Sequence, residues 1–495
     1  MTVDVELFPH PVYARTVLEP LFRGTLAHHA DDMDAINRAH LVMLAETGIV
    51  GASDAAAIAD ALDAVLEEVD RDELAYTGEH EDWFFLVEAQ LGERLGALAG
   101  ALHTARSRND IDHTLFRMAL RSRAAGMQDR ILALAEALAA KARAEAETLI
   151  VAYTHGQPAQ PTTFGHWIAA ALDVLLRDAA RLDAACAALE DCPMGAAAIT
   201  TTGFPIDRGR VAELLGFARP TSNAYGSIAA VDYVTGYYAA LKLPFVHLGR
   251  VTQDLQFWSA FEVGQLRVPG SLVQISSIMP QKRNPVPIEH MRHLASVTAF
   301  RCDVMVNTVH NTPFTDMNDS EGEVQAAGYA AFESGGRMLD LLAAFLPAAR
   351  IDEARVRANM DAACVTITEL ADTLVREEGL TFRAAHHVAA AVARDVIARG
   401  VPLSGGRQAF AAAFEAQAGR PPSLGADGFA EAVSPEAFVA RRDRPGGPAP
   451  AALAAALEGY EAEAARLRAA ADARAARHDG AATLRRAAFA ALRKD

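Results

Sequence analysis

Ser276 and Ser277 stand just ahead of Lys282 and Asn284, in a run punctuated by Pro280 and closed by Pro285. Proline fixes φ and lacks a backbone donor, so the run discourages regular helix. Val268-Pro269-Gly270-Ser271 lies just upstream. A hydroxyl and an ammonium on one loop are the parts needed to take a proton and to hold the anion left behind. By themselves these residue types more often make a solvated polar loop.

Two further clusters carry chemistry. His103-Thr104-Ala105-Arg106-Ser107-Arg108-Asn109-Asp110 packs two arginines, a serine and an asparagine into one short stretch. The planar guanidinium fork matches carboxylate oxygens two at a time. The stretch also reads as the cap of a helix starting at Asp110, and a helix N-terminus itself attracts anions. Tyr153-Thr154-His155-Gly156-Gln157-Pro158-Ala159-Gln160-Pro161 leads into a helix at Phe164. A lone histidine such as His155 is more often a polar surface group than a catalyst.

Long helices must position these clusters. Ile131, Leu134, Leu138 and Ala142 recur at the spacing of one helix face. Leu175, Leu182, Cys186 and Leu189 repeat the pattern, as do Leu241, Phe245, Leu248, Val251, Leu255 and Trp258, with a kink expected at Pro244. Period-2 strand runs are scarce. The pattern shortens before about residue 105 and after about residue 355. Arg444-Pro445-Gly446-Gly447-Pro448-Ala449-Pro450 marks a break before an Ala/Arg-rich helical tail that reads as a terminal packing helix. An all-α, three-part chain is expected: an N-terminal helical domain over 1–105, a central long-helix bundle over 106–355 and a C-terminal helical domain over 356–495.

Composition excludes several classes. A chain of 495 residues, 51% apolar, exceeds one ordinary core. No apolar run approaches a membrane span. Met1-Thr2-Val3-Asp4-Val5-Glu6 has no basic stretch leading into an apolar one, so a cytoplasmic protein is expected. Cys186, Cys192, Cys302 and Cys364 show neither CxxC nor metal-ligand spacing and read as reduced packing residues. The net charge of −17 argues against nucleic acid as a partner but permits a small anionic substrate in a local cationic pocket.

The three clusters together resemble the argininosuccinate lyase branch of the fumarase/aspartase superfamily. The serine-lysine-asparagine loop resembles the superfamily's signature loop, and the Ser107-Arg108-Asn109 stretch resembles the argininosuccinate lyase pattern. Glu81-Asp82-Trp83-Phe84-Phe85-Leu86-Val87-Glu88, Thr202-Gly203-Phe204-Pro205-Ile206-Asp207-Arg208 and Thr368-Glu369-Leu370-Ala371-Asp372 extend the resemblance along the chain. Further on, the adjacent His386 and His387 read as structural. The resemblance implies a three-domain fumarase/aspartase-type fold, a homotetramer with sites shared between subunits, and no metal, nucleotide or redox cofactor.

The resemblance also implies roles. Ser276 is the base, and Lys282 with Asn284 holds the doubly charged aci-carboxylate formed when a proton leaves carbon next to a carboxylate. Ser107, Arg108 and Asn109 bind the succinyl carboxylates. Thr154 and His155 face the leaving nitrogen, with His155 paired to Glu289, seven positions after Lys282. Ser277, Met279, Gln160 and Asp82 complete the substrate-contacting positions. The reaction so implied cleaves an N-substituted aspartate to fumarate and an amine.

Departures cluster on the amine side. Ile275 stands where the family loop has glycine, and Phe84 where the pattern has histidine. Asn223 to Asp232 lacks the usual polar series. Asn311 to Glu321 lacks the tyrosine, glutamine and lysine that would meet an arginine portion. The leaving amine is therefore expected to differ from arginine, as in the aminopolycarboxylate (ethylenediamine-disuccinate) lyases. Authentic argininosuccinate cleavage is the alternative. A superfamily cycloisomerase or a non-catalytic, crystallin-like protein is a more distant one.

Overall fold

The computed structural model describes residues 8–493, so the Met1–Glu6 stretch read above for a leader lies outside them. Five long helices form the frame: α1 (Arg108–Ala144), α2 (Phe164–Cys186), α3 (Asp232–Ser259), α4 (Val286–Asn307) and α5 (Gly322–Ala348). They pack in a closed ring, α1 on α2, α2 on α3, α3 on α4, α4 on α5 and α5 back on α1. The sequence stripes are the buried faces: Ile131, Leu134, Leu138 and Ala142 of α1 are all buried. Each such leucine contributes about 1.5–3 kcal/mol of burial against the entropy of ordering it.

One detail corrects the sequence reading. α1 begins at Arg108, and Ser107 caps it in a capping box with Asp110 rather than Asp110 starting the helix. Pro244 lies inside α3 without ending it. Close approach of α3, α1 and α5 depends on Gly335, where a Cβ would stand 2.4 Å from the Phe245 ring and 3.1 Å from the Met127 methyl.

Direction along the ring matters for function. α1 spans 37 residues, about 55 Å at helical rise. At its far end a hairpin of β1 (Leu149–Thr154) and β2 (Gln157–Thr163) reverses the chain into α2. Lys141, near the end of α1, donates to the carbonyl of Ala349, just after α5, at 3.2 Å. β3 (Leu266–Arg267), β4 (Gln274–Ile275), β5 (Arg283–Asn284) and β6 (Arg350–Ile351) gather at that same end. Gln265 joins them to β1 by accepting from the Val151 N–H at 3.2 Å. At the opposite end the His113 imidazole meets the Tyr233 hydroxyl at 3.2 Å and Asp316 at 3.5 Å.

Helices before Arg108 share the bundle's core through residues such as Ile36, Leu41, Leu62 and Val87. The tail forms α6 (Pro450–Ala491), which packs along α1 and α2 and buries Leu453, Leu457, Leu467 and Phe489 in that core. Short helices between Ile367 and Ala432 enclose a separate cluster of Leu370, Leu374, Val388, Val392, Phe410, Phe414 and Phe429. All four cysteines are unpaired and buried. Among the described residues no helix is long and apolar enough to cross a membrane.

Candidate active site

The Arg108 region is built by the start of α1. Ser107 Oγ accepts from the Asn109 N–H at 3.4 Å, and the Ser107 N–H donates to Asp110 at 2.9 Å. Asp110 also accepts from the Gly195 and Ala197 N–H groups at 2.8 and 2.9 Å, drawing the 195–198 loop over the helix start. Burial raises its pKa to about 6 despite these three donors. The side-chain amide of Asn109 donates to Ala198 carbonyl at 2.9 Å and so is fixed in direction. The role of this loop was not read from sequence; in the structure Gly195 has φ of +84° and stands where a Cβ would strike Arg208 and Ile206.

Arg108 is held on three sides. It lies 2.6 Å from Asp82 and 3.2 Å from Asp112, with its guanidinium 4.9 Å from the centre of the Phe84 ring. Burial alone would lower its pKa, but Asp112 and Asp82 outweigh burial and keep it above the ordinary arginine value. Asp82 also caps the Trp83–Leu95 helix by accepting from the Phe85 N–H at 3.2 Å. Its carboxylate is thus committed to the protein, and its contact to substrate would run through Arg108. Phe84, in the histidine position of the resemblance, is buried beneath that arginine.

Asp112, His113, Asp316 and Glu321 extend the region, and sequence spacing did not mark them as one group. Burial, with Asp112 and Asp316 adding to it, raises the Glu321 pKa to about 7. Tyr225 stacks on Phe314, centroids 6.0 Å apart, and its hydroxyl donates to the Phe314 carbonyl at 3.1 Å. Both residues are exposed. The departures at 223–232 and 311–321 therefore meet in space.

His155 sits at the tip of the β1–β2 hairpin, with φ of +54° followed by +73° at Gly156. Two positive φ values match a tight hairpin turn. A left-handed non-glycine residue costs about 1–2 kcal/mol, so this tip holds its histidine at some expense. Thr154 and His155 are exposed, and Gln160 donates to Thr368 at 3.3 Å. The serine loop is likewise a hairpin tip, closed by the β4–β5 pairs Gln274–Asn284 and Ile275–Arg283. Ser276 Oγ accepts from the Met279 N–H at 3.2 Å, and the Lys282 N–H donates to Met279 carbonyl at 3.0 Å. Ser277, Met279 and Lys282 are exposed, and Asn284 is half-buried.

One chain does not bring the clusters together. Arg108 and Asn109 lie at one end of α1, whereas His155, Ser276 and Lys282 lie at the other, about 55 Å away. The expected His155–Glu289 pair is not formed within the chain among the described residues; Glu289 is exposed in the first turn of α4. His386 and His387 are exposed on the Phe382–Arg399 helix, far in sequence from all three clusters.

Comparison with known proteins places the chain. The family described as "Lyase" matches residues 25–298, and the family described as "Argininosuccinate lyase C-terminal" matches residues 364–440. The chain belongs to the argininosuccinate lyase-like branch of the fumarase/aspartase superfamily. It is 57% identical to "Argininosuccinate lyase 2" of Agrobacterium fabrum over 92% of this chain and 91% of that protein. It is 36% identical to "Argininosuccinate lyase" of Hyphomonas neptunium over 76% of this chain and 80% of that one. Among solved structures, EDDS lyase with formate and an EDDS lyase variant with bound fumarate each match at a TM-score of 0.83 and 26% identity, covering 96% of this chain and 95% of theirs.

Proposed function

We propose that this enzyme, a fumarate-releasing carbon–nitrogen lyase by family, acts on an N-substituted aspartate whose amine is not arginine. The stacked Tyr225–Phe314 pair carries this reading. It lies at the Arg108 end of the bundle, built from the two segments that lack the polar residues for an arginine portion. The succinyl-side residues Ser107, Arg108 and Asn109 are all retained. Authentic argininosuccinate cleavage is the second reading, favoured by the 57% identical relative of that name.

In the proposed reaction Arg108 and Asn109 hold the succinyl carboxylates. Ser276 removes the proton from the carbon beside one of them. A serine hydroxyl is a weak base in water, so closure of its hairpin must exclude solvent and expose it to the charge of Lys282. Lys282 and Asn284 then stabilise the aci-carboxylate. The carbon–nitrogen bond breaks on the opposite side, with Thr154 or His155 supplying a proton to the departing nitrogen and Glu289 orienting the imidazole.

The separation of Arg108 from Ser276 along the bundle supports a site assembled from several subunits, as in a homotetramer. Exposed apolar side chains on the outer faces, Phe300 at 70% and Val304 at 55% of α4, fit a large interface. The substrate reading is tested by following fumarate absorbance with argininosuccinate beside a panel of other N-succinyl amines. Faster turnover of a panel member is expected; argininosuccinate turning over fastest sinks the altered-amine reading.

A further inference from the structure

Arg267 and Arg350 are register partners in the antiparallel β3–β6 pair. Their neighbours Leu266 and Ile351 face the core cluster, so the two arginine side chains leave together on the other face. Like charges directly opposite in a ladder weaken it. Arg283 of β5 comes to the same place and donates to the Val268 carbonyl at 2.8 Å. The three arginines line one open cavity of about 660 Å³ together with Gly270, Asp352 and Glu353. Asp352 is already engaged, capping the Glu353–Ala363 helix through the Arg355 N–H at 3.0 Å. Among the described residues none of the three arginines has a carboxylate within 4.0 Å.

We infer that this cavity is a binding site for a small oxyanion of two negative charges, phosphate or dicarboxylate. Three guanidinium forks around one cavity match the paired oxygens of such ions, and a bound dianion removes the repulsion between Arg267 and Arg350. Arg283 follows Lys282 directly and precedes Asn284. An anion bridging Arg283 to Arg267 and Arg350 therefore ties the base of the Ser276 hairpin to the end of the bundle. The site is separate from the Arg108 clamp and stands whatever amine the enzyme releases.

The test is calorimetric titration of the full-length protein with inorganic phosphate and, separately, with succinate, at an ionic strength held constant with chloride. The double variant Arg267→Gln/Arg350→Gln is titrated in parallel. At least one of the two anions is expected to bind the wild type and to lose about tenfold or more in affinity in the variant. Loss for phosphate alone identifies a phosphate-type site, and loss for succinate alone a dicarboxylate site. Should the double variant melt early, Arg350→Lys keeps the charge without the fork and is expected to weaken the same isotherm. Isotherms for both anions that neither substitution changes, or no binding of either below about 10 mM, overturn the site.

Discussion

Arg108 lies 2.6 Å from the buried carboxylate of Asp82. The arginine that would clamp a substrate carboxylate is thus aimed by another carboxylate, with Asp112 as a second support. Asp82→Asn keeps an oxygen to cap the following helix but removes the charge. The expected outcome is a loss of about 2–3 kcal/mol in urea unfolding, less than for a fully buried pair because Arg108 is partly exposed. KM should rise more than kcat falls. Unchanged stability would show that Asp82 does not support Arg108.

Glu321 gives a pH test. Its folded-state pKa is raised from 4.5 to about 7 by burial and by Asp112 and Asp316. A raised carboxyl binds a proton in the folded state that the unfolded chain has already released. Stability is therefore lost as pH rises from the unfolded value of 4.5 to about 7, and the cost is complete above that. Glu321→Gln should stabilise the protein by about 1–2 kcal/mol at pH 8 and by nothing near pH 4, after discount for partial exposure. A variant equally stabilised at both pH values contradicts the assignment.

Ser276→Ala tests the proposed base. General-base contributions are typically about a hundredfold or more, so kcat should fall at least that far while the circular dichroism spectrum and melting curve stay those of the wild type. Activity within a few-fold of wild type would remove Ser276 from the proton transfer.

Phe314→Ala tests the amine side. It removes the ring stacked on Tyr225 and so about 1 kcal/mol of aromatic contact. KM for the N-substituted aspartate should rise about fivefold, while inhibition by fumarate alone, which lacks the amine, stays the same. Equal effects on both would place Phe314 outside the amine pocket.

The long helices were legible because each repeats apolar residues on one face, as Ile131 to Ala142 do in α1. The β1–β2 hairpin was not, because Leu149 to Tyr153 does not alternate and His155-Gly156 lacks the usual Asn-Gly turn signal. The cap of α1 moved from Asp110 to Ser107 because two residues competed for one role and backbone geometry chose between them. Asp112, His113, Asp316 and Glu321 were invisible as a group, since only the parallel packing of α5 on α1 sets the start of α5 and the loop before it beside the start of α1. His155 and Glu289 were expected as neighbours from resemblance, and a single chain leaves both exposed.

The most direct test of the shared site is to unfold and refold together equal amounts of Ser276→Ala and Arg108→Gln proteins, each folded yet nearly inactive alone. If each site draws these residues from different subunits, random assembly restores both to about a quarter of the sites. Fumarate release should recover toward that fraction of wild type. A mixture no more active than the separate variants would contradict the account.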